Sequence, residues 1–229
     1  MIELWELGGI DDRRYSNFAW RTRMALRHLG LEATLRPVAL TDKAAIAFSG
    51  GTTVPVIRDG ETVIRDSWAI AEYLESRHAG ERSLFGGASG QALTRFVNGW
   101  VDRVVLAAAF PVVASDAIDV VVPADRDYFA GLIRKFTRLE PDALKQEQPK
   151  HIERLGRAVD PARAVLKRQP YLAGAEPGYA DYALFSIYQW ARIASPVDLL
   201  TGDAPLGAWF ERLLDTHDGY ARAAPARRR

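Results

Sequence analysis

A chain of 229 residues, 48% of them hydrophobic, can bury the core of one or two folded domains. A formal net charge of +1 gives no case for nucleic acid or another strongly charged partner. There is no cysteine, which excludes disulfides, thiolate metal sites and a cysteine nucleophile, and fits a cytoplasmic setting. The start, MIELWELGG, lacks the basic segment and long apolar core of a secretory signal. The most apolar region, residues 104–122, is broken by Pro111, Asp116 and Asp119 and does not read as a membrane span.

In chain order, residues 2–7 read as a first strand that Gly8 and Gly9 end. Ser16 or Asn17 can cap a helix running to about Leu29, with Gly30 at the C-terminal glycine position. Phe18, Met24, Ala25 and Leu26 suggest one apolar face on that helix, and its arginines a basic one. Residues 34–40 read as a second strand, which Pro37 assigns to a sheet edge. A short irregular helix can occupy residues 41–49, and Gly50 to Thr53 is a flexible approach to Val54-Pro55.

The most informative stretch follows. Val56, Ile57 and Arg58 are extended, Asp59-Gly60 is a hairpin turn signal, and Thr62 to Ile64 return. Asp66 and Ser67 are good N-cap residues for a helix whose buried face is Trp68, Ile70, Ala71 and Leu74, ending near residues 77–80. By itself this is a hairpin followed by a capped helix. The order is therefore βαβ, a short helix, a hairpin and a helix. Residues 81–90 hold three glycines and read as a linker pinned by Leu84 and Phe85.

Beyond residue 90 the pattern is helical. Leu93, Phe96, Val97, Trp100, Val101 and Val104 recur at helical spacing. Another helix starts at residues 124–128, with acids suited to its first turn. Residues 153–168 form a charged amphipathic helix that Pro161 kinks or restarts. Phe185, Ile187, Tyr188 and Trp190 mark a central core helix, and a short last helix covers residues 206–214. Residues 225–229 read as a frayed basic tail.

The string from Val54-Pro55 through Asp66-Ser67-Trp68 to Leu74 resembles the thioredoxin-like half of glutathione transferases. Ser16 with Trp20-Arg21-Thr22, Leu84-Phe85 with Phe96 and Trp100, and Pro123 with Asp125-Arg126-Asp127-Tyr128 extend the likeness over most of the chain. Within the superfamily these residues look most like the serine-type lignin β-etherase and fuscan-like branch. The resemblance implies an α/β N-terminal thioredoxin-like domain (βαβαββα) over residues 1–80, a linker over 81–90 and an all-α helical domain over 91–229. It implies a homodimer, and glutathione as co-substrate rather than a metal. It also implies a cis Val54-Pro55 bond, with the Val54 backbone on the cysteinyl unit, and Asp66 and Ser67 on the γ-glutamyl end.

Ser16 is the implied donor to the glutathione sulfur, although it also reads as a plain N-cap. Asn17 stands where serine-type relatives commonly have proline, and its amide is a second possible donor. No basic residue directly precedes Val54-Pro55, so Arg36 and Lys43 are the candidates for the glycyl carboxylate. Gly178 occupies the hydroxyl position of a capping box completed by Asp181, which predicts a looser start to the core helix. The four histidines show neither metal spacing nor a carboxylate pattern, and there is no phosphate-binding glycine loop. Trp100, Phe110, Tyr128, Phe129 and Tyr188 supply core residues and one or two walls of an apolar pocket. Two functions suit this pattern: a transferase that activates the glutathione thiolate against an apolar electrophile, aryl ethers included, or a binding protein of the same fold without turnover.

Overall fold

The computed structural model describes residues 1–227. Four strands form one mixed sheet in the order β2-β1-β3-β4. β1 (Ile2–Leu7) pairs in parallel with β2 (Ala33–Val38) and antiparallel with β3 (Val56–Asp59), which pairs with β4 (Thr62–Arg65). Parallel pairing of β1 and β2 needs a crossover, supplied by α1 (Asn17–His28). β2 lies at the sheet edge, where Pro37 removes no ladder bond the fold needs. A 3-10 turn over Ala44–Ser49 leads to β3, and α2 (Ser67–His78) follows β4. The hairpin turns one residue later than the sequence suggests. Asp59 pairs with Thr62, so Gly60 and Glu61 make the turn, and Gly60 takes the positive φ.

The remainder is helical: α3 (Ala88–Trp100), α4 (Leu106–Ala117), α5 (Arg126–Thr137), α6 (Pro141–Gln146), α7 (Gln148–Ala158), α8 (Asp160–Leu166), α9 (Tyr179–Ala194) and α10 (Ala204–Gly219). α3 starts inside the stretch that reads as linker. A π-helical turn at Val101–Val105 joins α3 to α4, so Ala88–Ala117 is one helix of 30 residues, long and apolar enough by composition to cross a membrane. Its two aspartates are tied to partners within the fold: Asp102 to Arg21, and Asp116 to Lys145, Gln148 and Ser195. Pro161 does restart a helix, sitting in the first turn of α8, where its missing N–H leaves no broken bond. α10 runs longer than expected, up to left-handed residues at His217 and Asp218.

Every residue of α9 except Arg192 is buried, which makes it the centre of the helical domain. Its start is tighter than the capping glycine predicts. Asp181 accepts from the Leu172, Ala173 and Gly178 N–H groups at 2.6, 3.0 and 3.1 Å and from the Trp209 indole at 2.8 Å. A Cβ on residue 178 would meet the Ala173 Cβ at 2.9 Å and the Leu84 carbonyl at 3.1 Å. Gly178 is therefore demanded by close packing, and the Asp181 N–H that a hydroxyl would have met donates to the Gly178 carbonyl at 3.0 Å instead.

The basic face read on α1 is also overturned. Arg21 is fully buried, bonded to Ser186, Asn98 and Asp102, and Arg23 is buried on Glu6. An arginine enters an interior when carboxylates and hydroxyls meet its donors. The tail does not fray as far as Arg227, which bonds the Asp116 and Ala194 carbonyls and pairs with Asp119 at 2.7 Å. Arg228 and Arg229 lie outside the described residues.

Candidate active site

The sheet brings the chemistry together through strand direction. Pairing of Trp5 with Val56, Val56 with Arg65 and Leu7 with Val38 places four chain ends at one edge of the sheet. These are the exit of β1 toward Ser16, the exit of β2 toward Lys43, the entry of β3 from Pro55, and the exit of β4 into Asp66. Residues far apart in sequence, Ser16, Asn17, Lys43 and Val54, thus line one cleft of about 590 Å³.

The Val54-Pro55 peptide is cis, and Pro55 is buried while Val54 is half-buried in the cleft wall. Ser16 is buried at the N-terminus of α1, where its Oγ accepts the Ala19 N–H at 3.3 Å. Capping uses a lone pair and leaves the hydroxyl proton free to donate. Asn17, also buried, presents an amide nitrogen that no group among the described residues satisfies. Tyr15 lines the same wall with an unbonded hydroxyl, and burial pushes its pKa far up, with the charge of Asp125 adding to the shift. It stays protonated at neutral pH. Neither its position nor its burial is legible in the sequence.

Asp66 has φ of 75° and caps α2, its Oδ1 accepting from the Trp68 and Ala69 N–H groups at 3.0 Å each. Its second oxygen makes no bond among the described residues. Ser67 is buried, and its carbonyl accepts from the Tyr179 hydroxyl at 2.9 Å. The two residues stand beside Pro55 across the β3–β4 pair, outside the lining of the main cleft. Lys43 lines the cleft, its Nζ donating to the Leu40 carbonyl at 2.6 Å and lying 5.6 Å from the Tyr128 ring. Arg36 is not brought to the site. It lies on the sheet away from the cleft, bonded to Glu3 at 2.9–3.0 Å, a carboxylate it shares with Arg58. Those two arginines hold the Glu3 carboxyl below its usual range.

The rest of the cleft is apolar, with Leu106, Phe110, Phe129, Phe136 and Trp190 contributed by the helical domain. Of the aromatic candidates, Phe110 and Phe129 line it, whereas Tyr188 faces a different cavity. Asp102 reaches the cleft from the π-helical turn, locked by Arg21 at 2.7 Å. Asp125 carries a role its sequence position does not signal. Instead of serving its own helix, it accepts from the Leu40 and Thr41 N–H groups at 2.5 and 3.2 Å and from the Thr41 hydroxyl. This bonds the helical domain to the loop that carries Lys43. The histidines hold no metal cluster among the described residues, but His78 does have a carboxylate partner, Asp59, at 2.9 Å.

Known proteins share the two-domain organisation. Residues 12–82 match the model of the glutathione S-transferase N-terminal domain, and residues 92–203 that of the C-terminal domain. Glutathione S-transferase 3 of Zea mays is 30% identical over 84% of this chain and 82% of its own. The fold is shared with glutathione transferase GSTFuA3 of Phanerochaete chrysosporium, with a TM-score of 0.83 at 20% identity over 93% of this chain and 95% of the other. A glutathione S-transferase of Ceriporiopsis subvermispora, solved in complex with glutathione, has a TM-score of 0.84 at 20% identity over 96% and 97%. The chain belongs to the glutathione S-transferase family.

Proposed function

We propose that this protein is a serine-type transferase that ionises the glutathione thiol at Ser16 and directs the thiolate onto an aromatic electrophile. The observation that carries the reading is the convergence of a proton-bearing Ser16 hydroxyl and the unsatisfied Asn17 amide on a cleft bounded by cis Val54-Pro55. The Val54 backbone offers strand-like pairing to the cysteinyl unit. The free Asp66 oxygen takes the γ-glutamyl ammonium, and Ser67 with the N-terminus of α2 takes its carboxylate. Lys43, on the opposite side of the opening, takes the glycyl carboxylate.

A hydrogen bond from Ser16 is stronger to an anionic sulfur than to a thiol, so it lowers the thiol pKa. The helix dipole acts in the same direction. The thiolate then forms a C–S bond as the leaving group departs with the bond's electron pair. In an aryl ether the leaving group is an aryloxide, which takes up a proton from water. The rings of Phe110, Phe129, Phe136 and Trp190 suit an aromatic substrate of this kind. A chain without cysteine that handles a free thiol suits the reducing cytoplasm.

The experiment is a pH titration of bound glutathione followed by thiolate absorbance, with turnover of a chloro-dinitrobenzene and of an aryl ether alongside. A bound thiol that ionises well below free glutathione, together with turnover, supports the proposal. Binding with an unshifted thiol and no turnover leaves the reading of a glutathione-binding protein instead.

The same reading makes the protein a homodimer. Leu93 and Phe96, which the helical spacing places in a core, are 70% and 76% exposed on α3, with Val104 exposed farther along the same helix. An apolar strip of this kind is what a second copy would cover.

A further inference from the structure

We infer that Asp125, in the helical domain, is a positioning residue for the glycyl end of glutathione, because it holds the loop that presents Lys43 to the cleft. The inference rests on the assignment of the glycyl carboxylate to Lys43, the one cation among the described residues that lines the cleft.

Asp125 is fully buried. Its carboxylate accepts from the Leu40 and Thr41 N–H groups at 2.5 and 3.2 Å and from the Thr41 hydroxyl. All three donors belong to the segment that runs from the end of β2 to Lys43. A buried carboxylate is costly unless hydrogen bonds replace its water. The contact is therefore reciprocal: the charge is tolerated only with the loop in this place, and the loop is kept there by the charge. Local structure gives Asp125 no competing task. It stands at the N-cap of α5, where an aspartate commonly accepts from its own first turn, yet it makes no such bond. Its carboxylate serves the other domain instead.

Leu40 carries the constraint on to the lysine. Its N–H donates to Asp125, and its carbonyl accepts from Lys43 Nζ at 2.6 Å. The Lys43 N–H donates to the Thr41 carbonyl at 2.8 Å, so both the backbone and the ammonium of Lys43 are tied to residues 40 and 41. An ammonium has three donors, and the bond to Leu40 leaves two for a ligand carboxylate. Tyr128, one turn into α5, sets its ring 5.6 Å from the same Nζ, within reach of a cation–π attraction. Phe129, Leu132 and Phe136 continue along α5 at helical spacing and line the apolar wall of the cleft. One helix thus walls the electrophile side and, from its first turn, fixes the cation on the glutathione side.

The test compares glutathione with its glycyl monoethyl ester, which lacks only the glycyl charge, by calorimetry on the full chain. The parent should prefer glutathione roughly tenfold, about 1.4 kcal/mol. Lys43→Met should abolish that preference. Asp125→Asn, which keeps a good N-cap residue, should lose most of it, with the affinity for the ester and the ionisation of the bound thiol unchanged. An Asp125→Asn variant that keeps the parental preference, or that weakens both ligands alike, overturns the inference while Lys43 keeps its assignment. A preference that survives in Lys43→Met, or is missing from the parent, overturns the Lys43 assignment and this inference with it. Should Asp125→Asn fail to fold, Thr41→Val and Tyr128→Leu take its place, and an unchanged preference in both overturns the inference equally.

Discussion

At Ser16 one oxygen serves two purposes, because capping α1 uses a lone pair while donation to sulfur uses the proton. Ser16→Ala removes both. The lost cap lowers stability by about 1 kcal/mol, and the bound thiol pKa rises, each unit corresponding to about 1.4 kcal/mol. Turnover should therefore fall more than glutathione affinity, and should partly recover as pH rises. Full turnover with an unshifted thiolate titration would reduce Ser16 to a cap. The unsatisfied Asn17 amide can take over part of the task, so the Ser16→Ala, Asn17→Ala double variant should lose more than either single one. At Asp66 the cap and the proposed charge contact use different oxygens. Asp66→Asn keeps an acceptor for the cap and removes the charge. It should weaken glutathione binding roughly tenfold, about 1.4 kcal/mol, with the thermal midpoint little changed. Equal affinity measured by calorimetry would remove the γ-glutamyl assignment.

At the scale of elements, the start of α9 depends on the absence of a side chain at Gly178 as much as on the presence of Asp181. Gly178→Ala would press a methyl into Ala173 and the Leu84 carbonyl. Overpacking of this kind costs about 1–3 kcal/mol. Urea unfolding should show that loss, and a neutral or stabilising result would mean that the 172–178 turn gives way freely. The same reasoning applies at Gly9, where a Cβ would meet the Val120 carbonyl at 2.3 Å. There the first strand's exit is bonded directly to the helical domain, with the Ile10 N–H on that same carbonyl at 2.9 Å.

At the scale of the whole molecule, a chain of hydrogen bonds crosses between the two domains. The Ser83 carbonyl can only accept, so His28 Nε2–H donates to it at 3.1 Å. Its Nδ1 then accepts the Tyr182 hydroxyl at 2.8 Å, whose oxygen accepts from His217 at 3.3 Å. This order requires a neutral His28, whose Nδ1 accepts, whereas His217 donates in either protonation state. Burial lowers both histidine pKa values, His217 to about 4, with His28, Arg27 and Arg82 adding repulsion and Asp218 opposing it. Glu75 and the Ser83 carbonyl pull the other way on His28.

A folded pKa below the unfolded value of about 6.5 means that the unfolded chain binds more protons in that window. Stability is then fully present above about 6.5 and lost as pH falls toward His217's folded value of about 4. The urea midpoint should drop across that interval, and His217→Asn should flatten the drop. A pH-independent midpoint would count against burial of neutral histidines in this hydrogen-bond chain. Assembly is tested at the same scale. Light scattering should give twice 25.4 kDa, and Phe96→Glu on the exposed strip should shift the protein toward monomer. A parent mass near 25.4 kDa would exclude the homodimer.

Local signals sufficed wherever the physics was local. Asp66 before a helix, Gly30 after one and Pro37 on an edge each specify backbone geometry through a residue's own steric or capping properties, and the structure has all three. The cis bond and the transferase fold were legible only through the order of these residues along the whole string, by its resemblance to glutathione transferases, because an X-Pro bond by itself is usually trans. Whatever depends on which side of an element faces a neighbour was decided only by tertiary packing. Arg36 and Lys43 are both cations near the second strand, but strand pleat sends Arg36 to Glu3, and the following turn sends Lys43 to the cleft. Arg21 and Leu93 exchange the places their polarity predicts. Asp102, Asn98 and Ser186 converge from two other helices to satisfy the arginine, while no element among the described residues covers the leucine. Helical spacing defines a face, but what the face meets is a property of the assembled fold.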